Sequence, residues 1–283
     1  MKKILSILLF FSIFFISACG SSRKQEALEI PEENVGVGNE FMENASPTTS
    51  SLSFYKYDGK KVIHYTMFNN PKEQEILDKI QSVDVVEVEN WTLDQIKFPV
   101  YGLDIGGQDG FTVFGAWCNG YWITQEGKAY QFEFDFENIE KNYEWDLEEE
   151  YDSVNIFPCI RHLCQKEDNW NKKMMDSAEK LEEKNDIFME IVETKDNIIS
   201  VEIHNDSKMP WEYGEVYSLQ TQIDGKWYVV PTVPGNWGFT MPLYVLPAGE
   251  SAEKSYNIEM YGELPRGIYR IVVENLTAEF EIE

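Results

Sequence analysis

The sequence predicts an α+β domain, an antiparallel meander covered by helices, followed by an all-β sandwich. Two observations carry that division. Between residues 52 and 175, aromatic and β-branched runs of period two alternate with short stretches of helical period. From residue 187 onward, β-type runs follow one another between Gly, Pro, Asn or Asp, with no helical period among them. Composition adds a bound. The 283 residues are 43% apolar and 26% charged, a foldable mixture, with 24 basic and 50 acidic side chains for a net charge of −26. That charge repels nucleic-acid phosphates and anionic lipid headgroups, so binding to either through basic patches is excluded.

The first eighteen residues read as a signal peptide. Lys2 and Lys3 precede an apolar stretch over residues 4–16. It is shorter than the roughly 20 residues a membrane-spanning helix needs, and it fits a secretory apolar region. Ile16-Ser17-Ala18-Cys19-Gly20 follows. These residues resemble the lipobox of bacterial lipoproteins. The resemblance implies cleavage before Cys19, a diacylglycerol on its sulfur, and attachment to the extracellular face of the bacterial cytoplasmic membrane. Two acyl chains anchor stably where one is marginal. Residues 19–51, rich in Ser, Glu, Asn, Gly and Pro, read as a flexible tether with a root-mean-square span of about 30 Å.

The α+β domain is expected over residues 52–175. Asp58-Gly59 between two aromatic and β-branched runs signals a hairpin. Asn70-Pro71-Lys72-Glu73 combines an N-cap, a proline at the first helical position and a reciprocal acceptor. Ile76, Leu77 and Ile80 then share one face of a helix that ends near Ser82, and residues 83–88 read as a strand. Asn119-Gly120 and Glu126-Gly127 mark turns between short strands over residues 111–136. Tyr130, Phe132, Phe134 and Phe136 alternate with polar residues, which predicts one strand with one buried face. Helical covers are expected at residues 71–82, 138–151 and 158–175.

Metal and catalytic chemistries find little support in the sequence. Residues 133–152 hold ten acids and one lysine but no glycine to turn a calcium loop. Asp104-Ile-Gly-Gly-Gln-Asp-Gly110 has the glycines and too few acids. Both read as structural, the acidic run as a solvated helix face. Cys159, His162 and Cys164 lack a standard zinc spacing and a second half-site, so no metal is expected. Cys118, Cys159 and Cys164 read as buried thiols or a bridge at Cys118. No nucleophile, zincin or phosphate-loop motif occurs, and the fifty acids offer no selected pair. No catalytic residue and no cofactor is expected.

Residues 176–186 read as a connector, and residues 187–283 as the sandwich. Asp224-Gly225 is a hairpin turn, Trp227 a natural core anchor, and Tyr269, Ile271 and Val273 alternate inward. The segment carries Asn205, Tyr213-Gly-Glu215, Tyr217-Ser-Leu219, Asp224-Gly-Lys-Trp-Tyr228, Leu246-Pro-Ala-Gly-Glu-Ser251, Tyr261-Gly-Glu-Leu-Pro265 and Gly267-Ile-Tyr-Arg-Ile271. In order and spacing these resemble the bacterial immunoglobulin-like domains of Gram-positive lipoproteins and surface proteins. The resemblance implies a sandwich and no activity.

The expected function is therefore a membrane-anchored extracellular lipoprotein with a non-catalytic binding, sensing or scaffolding role at the cell envelope. Its partners are the membrane, through lipidated Cys19, and an envelope protein or a glycan. The candidate ligand contacts are Trp117, Tyr121, Trp122 and Trp237, the last on a loop. The competing readings are a wall-directed hydrolase with acids in the first domain, and a glycan-binding module resting on those aromatics.

Overall fold

A computed structural model describes residues 49–89, 91–107, 110–124, 126–181, 186–233 and 237–283. The expected signal segment, Cys19 and the tether up to residue 48 lie outside the described residues, as do residues 182–185 of the expected connector. No helix among the described residues is long and apolar enough to cross a membrane.

The α+β domain is built on β1 (Thr49–Tyr57), β2 (Val62–Phe68), α1 (Pro71–Gln81), β3 (Val86–Glu87), β4 (Val100–Gly107), β5 (Gly110–Cys118), β6 (Tyr121–Thr124), β7 (Ala129–Gln131), α2 (Phe136–Asn142), β8 (Leu147–Tyr151) and α3 (Ile160–Cys164). A small hairpin, β9 (Gln165–Lys166) and β10 (Asn169–Trp170), follows. The first eight strands form one antiparallel sheet in the order β3-β7-β6-β5-β4-β1-β2-β8. Strands β5 to β7 are the expected meander, and β4 extends it.

Local chemistry explains most of these bounds. Asn70 accepts from the Lys72 amide, and Glu73 returns a bond to the Asn70 N–H, so α1 starts at the expected capping box. Its Ile76, Leu77 and Ile80 are fully buried, each contributing roughly 1.5–3 kcal/mol. The strand expected through Phe136 stops at Gln131, because Asp135 accepts the Asn138 amide at 2.9 Å and opens α2 instead. Tyr130, Phe132 and Phe136 still reach the same core, as their alternation requires. The acidic run also departs from the expected helix face. Only its first part is helical, and Glu148, Glu149 and Glu150 lie exposed on β8 at the edge of the sheet, where charge discourages further pairing.

Both faces of the sheet are buried, not one. Leu52, Phe54, Met67, Leu103 and Ile105 pack under α1 and α2. Val62, Val100, Ala116, Cys118 and Ile123 pack on the opposite side against Val154, Phe157, Ile160 and Leu163. Lys56 bridges the sheet to α2, holding both carboxylate oxygens of Glu140 at 2.8 Å, and Tyr65 Oη donates to the same carboxylate at 3.0 Å.

The sandwich comprises β11 (Ile187–Lys195), β12 (Ile198–Asn205), β13 (Trp211–Tyr213), β14 (Tyr217–Ile223), β15 (Lys226–Val229), β16 (Tyr244–Leu246), β17 (Ser251–Asn257), β18 (Gly267–Val273) and β19 (Leu276–Ile282). Its sheets run β11-β12-β17, β13-β16 and β15-β14-β18-β19. Tyr269, Ile271 and Val273 are buried as expected. Trp227 is not the core anchor. It is half-buried beneath the Arg270 guanidinium, 4.3 Å above its ring, and Trp211 stacked on Tyr213 at 4.7 Å fills the core instead.

Candidate functional site

The four expected aromatic contacts do not form one platform. Trp117 and Trp122 are directly opposed across β5 and β6, so they share the helix-covered face. Trp122 is only 1% exposed and stacks towards Phe136, 6.2 Å between centroids. Its indole fills the space above Gly115, where an added Cβ would come within 2.2 Å of the ring. Trp122 is therefore a core residue. Tyr121 opposes Cys118 on the other face, and its hydroxyl accepts from Gln95 Nε2 at 3.2 Å. Trp117 alone of the three lies at a groove, of about 350 Å³, together with Phe98, Phe134, Lys97, Asn119 and Asp135.

His64, on β2, and Asp104, on β4, are titratable groups perturbed by burial. His64 stacks on Tyr55 at 4.4 Å, with Glu149 3.9 Å away, and burial holds its pKa below the usual value. Asp104, on β4, has one carboxylate oxygen buried without a partner, and burial raises its pKa to about 6. Sequence spacing carries no sign of this, because the burial comes from neighbouring strands. Cys118, Cys159 and Cys164 are buried thiols whose burial pushes their pKa up, which suppresses the thiolate. Cys164 Sγ donates to the Met174 carbonyl at 2.7 Å. Among the described residues no group of His, Cys, Asp and Glu is placed to hold a metal.

Trp237 occupies a different setting. It is 43% exposed, with its Nε1 donating to the Val233 carbonyl at 2.8 Å, so the polar edge is tied down and the ring is presented to solvent. Phe239, Met241, Leu243 and Val245 follow at alternate positions, also exposed. Trp237 and Phe239 border a groove of about 310 Å³ with Tyr217, Lys254 and Glu215. Glu215 accepts from Thr240 and Tyr244, which keeps its pKa below the carboxylate norm. Lys254 Nζ rests 3.4 Å from the Tyr244 ring centroid, a close cation–π contact.

The core of the sandwich carries a tyrosine corner. Tyr269 Oη donates to the carbonyl of Pro265, four residues upstream, at 2.5 Å, and the phenol is fully buried. Residues 184–282 match a family model described as a bacterial Ig-like domain. No curated protein matches the chain. An Ig-like domain points to a surface or binding role, and the observed sandwich agrees with the match. The Ig-like domain is also joined firmly to what precedes it. Trp170 Nε1 donates to Tyr269 Oη at 3.0 Å, and Arg161 Nη2 donates to the Glu263 carbonyl at 2.7 Å. The Arg161 guanidinium lies 4.5 Å from the Trp170 ring centroid, and burial lowers its pKa to about 10, still cationic at neutral pH. Residues 176–178 run along β15, with Ala178 N–H bonded to Trp227 O and Val229 N–H to Asp176 O, both at 2.9 Å. Neither Arg161 nor Trp170 announces this role in the sequence, since each partner is about a hundred residues away.

Proposed function

We propose that the chain is a lipid-anchored protein of the bacterial envelope that binds a protein partner without catalysis, through residues 237–245 of its Ig-like domain. The observation that carries this reading is the exposure of five apolar side chains at successive odd positions. Trp237, Phe239, Met241, Leu243 and Val245 are 43, 36, 95, 67 and 55% exposed. Large apolar side chains left together in water mark an interaction surface, because burying them against a partner releases the water they order. The net charge of −26 selects a neutral or basic partner over an acidic one. The non-catalytic part is supported by the buried thiols and the dispersed histidines. The anchor rests on the lipobox residues and Cys19.

Two measurements test the reading. A photo-crosslinking side chain at position 239 of the full chain, in cells, is expected to give one discrete protein adduct, lost with Met241→Asp. A folded, surface-displayed protein that gives no adduct from positions 239 or 241 refutes the contact. Metabolic palmitate labelling is expected to label the wild type and not Cys19→Ser, and an unlabelled wild type refutes the anchor.

A further inference from the structure

The groove beside Trp117 is independent of the loop at residues 237–245 and shares no residue with it. Its floor is aromatic. The Trp117 centroid lies 5.2 Å from that of Phe136, and Phe134 meets Phe136 edge-on at 4.7 Å. Phe98, 38% exposed, forms one wall. Polar groups of both kinds line the rim. Among the described residues the Lys97 ammonium makes no ion pair and the Asn119 amide no hydrogen bond. Asp135 gives one carboxylate oxygen to the Asn138 amide and has a second to offer. Trp117 Nε1 is buried with no acceptor. A buried indole N–H ordinarily finds one.

We propose that this groove binds an uncharged pyranose sugar of an envelope polysaccharide, stacked on Trp117 and Phe134. A pyranose presents a C–H face that packs on an aromatic ring, and hydroxyls at its edge that both donate and accept. Lys97 and Asn119 donate, and Asp135 and Asn119 accept. A purely apolar ligand would waste this rim. An anionic polymer would meet the charge of −26 and the Asp135 carboxylate. A volume of about 350 Å³ falls at the small end of ligand pockets, which suits one or two rings and not a folded partner.

The test uses the full chain, solubilised from membranes, against immobilised uncharged hexose and N-acetylhexosamine oligosaccharides, with polyglycerol phosphate as the anionic comparison. Saturable binding to an uncharged oligosaccharide is expected, confirmed by calorimetry. Trp117→Phe keeps one aromatic ring and removes the rest of the indole with its N–H. Asn119→Gly keeps the left-handed turn, φ 50°, and removes the amide. Each is expected to weaken binding about tenfold in protein that still folds, the first through lost stacking area and the second through one lost hydrogen bond to the ligand. Binding only to polyglycerol phosphate, binding to none of the sugars by folded protein, or sugar affinity unchanged in both variants overturns the proposal. Loss of the protein adduct at position 239 leaves it standing, because that readout belongs to the other surface.

Discussion

Replacing Asp104 with asparagine separates an ionisation cost from everything else in the sheet. Asp104 faces Ser53 across β4 and β1, and Ser53 faces Thr66 across β1 and β2, so no cation is in register beside it. Burial raises its pKa from 3.8 to about 6. The folded value lies above the unfolded one, so the folded chain holds the proton more tightly. The neutral side chain's contribution is complete below about pH 4 and is lost as pH rises through about 6. Two pH units at about 1.4 kcal/mol each give about 3 kcal/mol, which partial exposure trims to about 2–3 kcal/mol. Asp104→Asn keeps the shape and removes the charge. Its stability advantage over wild type, read from urea unfolding at fixed pH with linear extrapolation, is expected to grow by about 2–3 kcal/mol between pH 4 and pH 8. The depressed titration of His64 is common to both proteins and cancels in the difference. An increment under about 0.5 kcal/mol, or one of opposite sign, means that the carboxyl is solvated or paired and refutes the reasoning.

Three other outcomes follow from the packing. Gly115→Ala drives a methyl into the Trp122 ring and is expected to cost about 1–3 kcal/mol, measured by denaturant midpoint; no loss would mean the ring is free to move. Trp170→Phe removes the donor to Tyr269 and should lower stability by about 1 kcal/mol, and calorimetry should still give one transition for both parts of the chain. Two separate transitions in the wild type would contradict the joint. A thiol reagent at pH 8 should leave Cys118, Cys159 and Cys164 unmodified in the folded protein and modify all three after unfolding; rapid native labelling would contradict their burial.

Local signals in the sequence were sufficient where the deciding contacts are close along the chain. The capping box at Asn70 and Glu73 set the start of α1, and the Asp58-Gly59, Asn119-Gly120 and Asp224-Gly225 turns set their hairpins. Period two found the core residues of β18. It overran at Phe134 and Phe136, where alternation continued after Asp135 had turned the backbone into a helix. The second buried face of the sheet was hidden, because its cover of Phe157, Ile160 and Leu163 is a string of short turns with no long period. The sites were less legible still. Trp122 and Trp237 look alike in composition, and only Gly115 beneath one and the Val233 carbonyl beside the other decide which is buried and which exposed. The cation that draws Trp227 from the core, Arg270, is supplied by a strand some forty residues later.

The backbone bonds from residues 176–178 to β15 bear on how freely this gene can be recombined. The family match begins at residue 184, yet the stretch that closes one open border of the sheet and caps the tyrosine corner comes earlier. A graft made at residue 184 would leave that border bare and Tyr269 without Trp170, inviting aggregation between copies. The Ig-like part is therefore no interchangeable cassette. A transplant that is to stay soluble must carry residues 170–178 with it, and probing the two proposed surfaces separately calls for point changes within the intact chain.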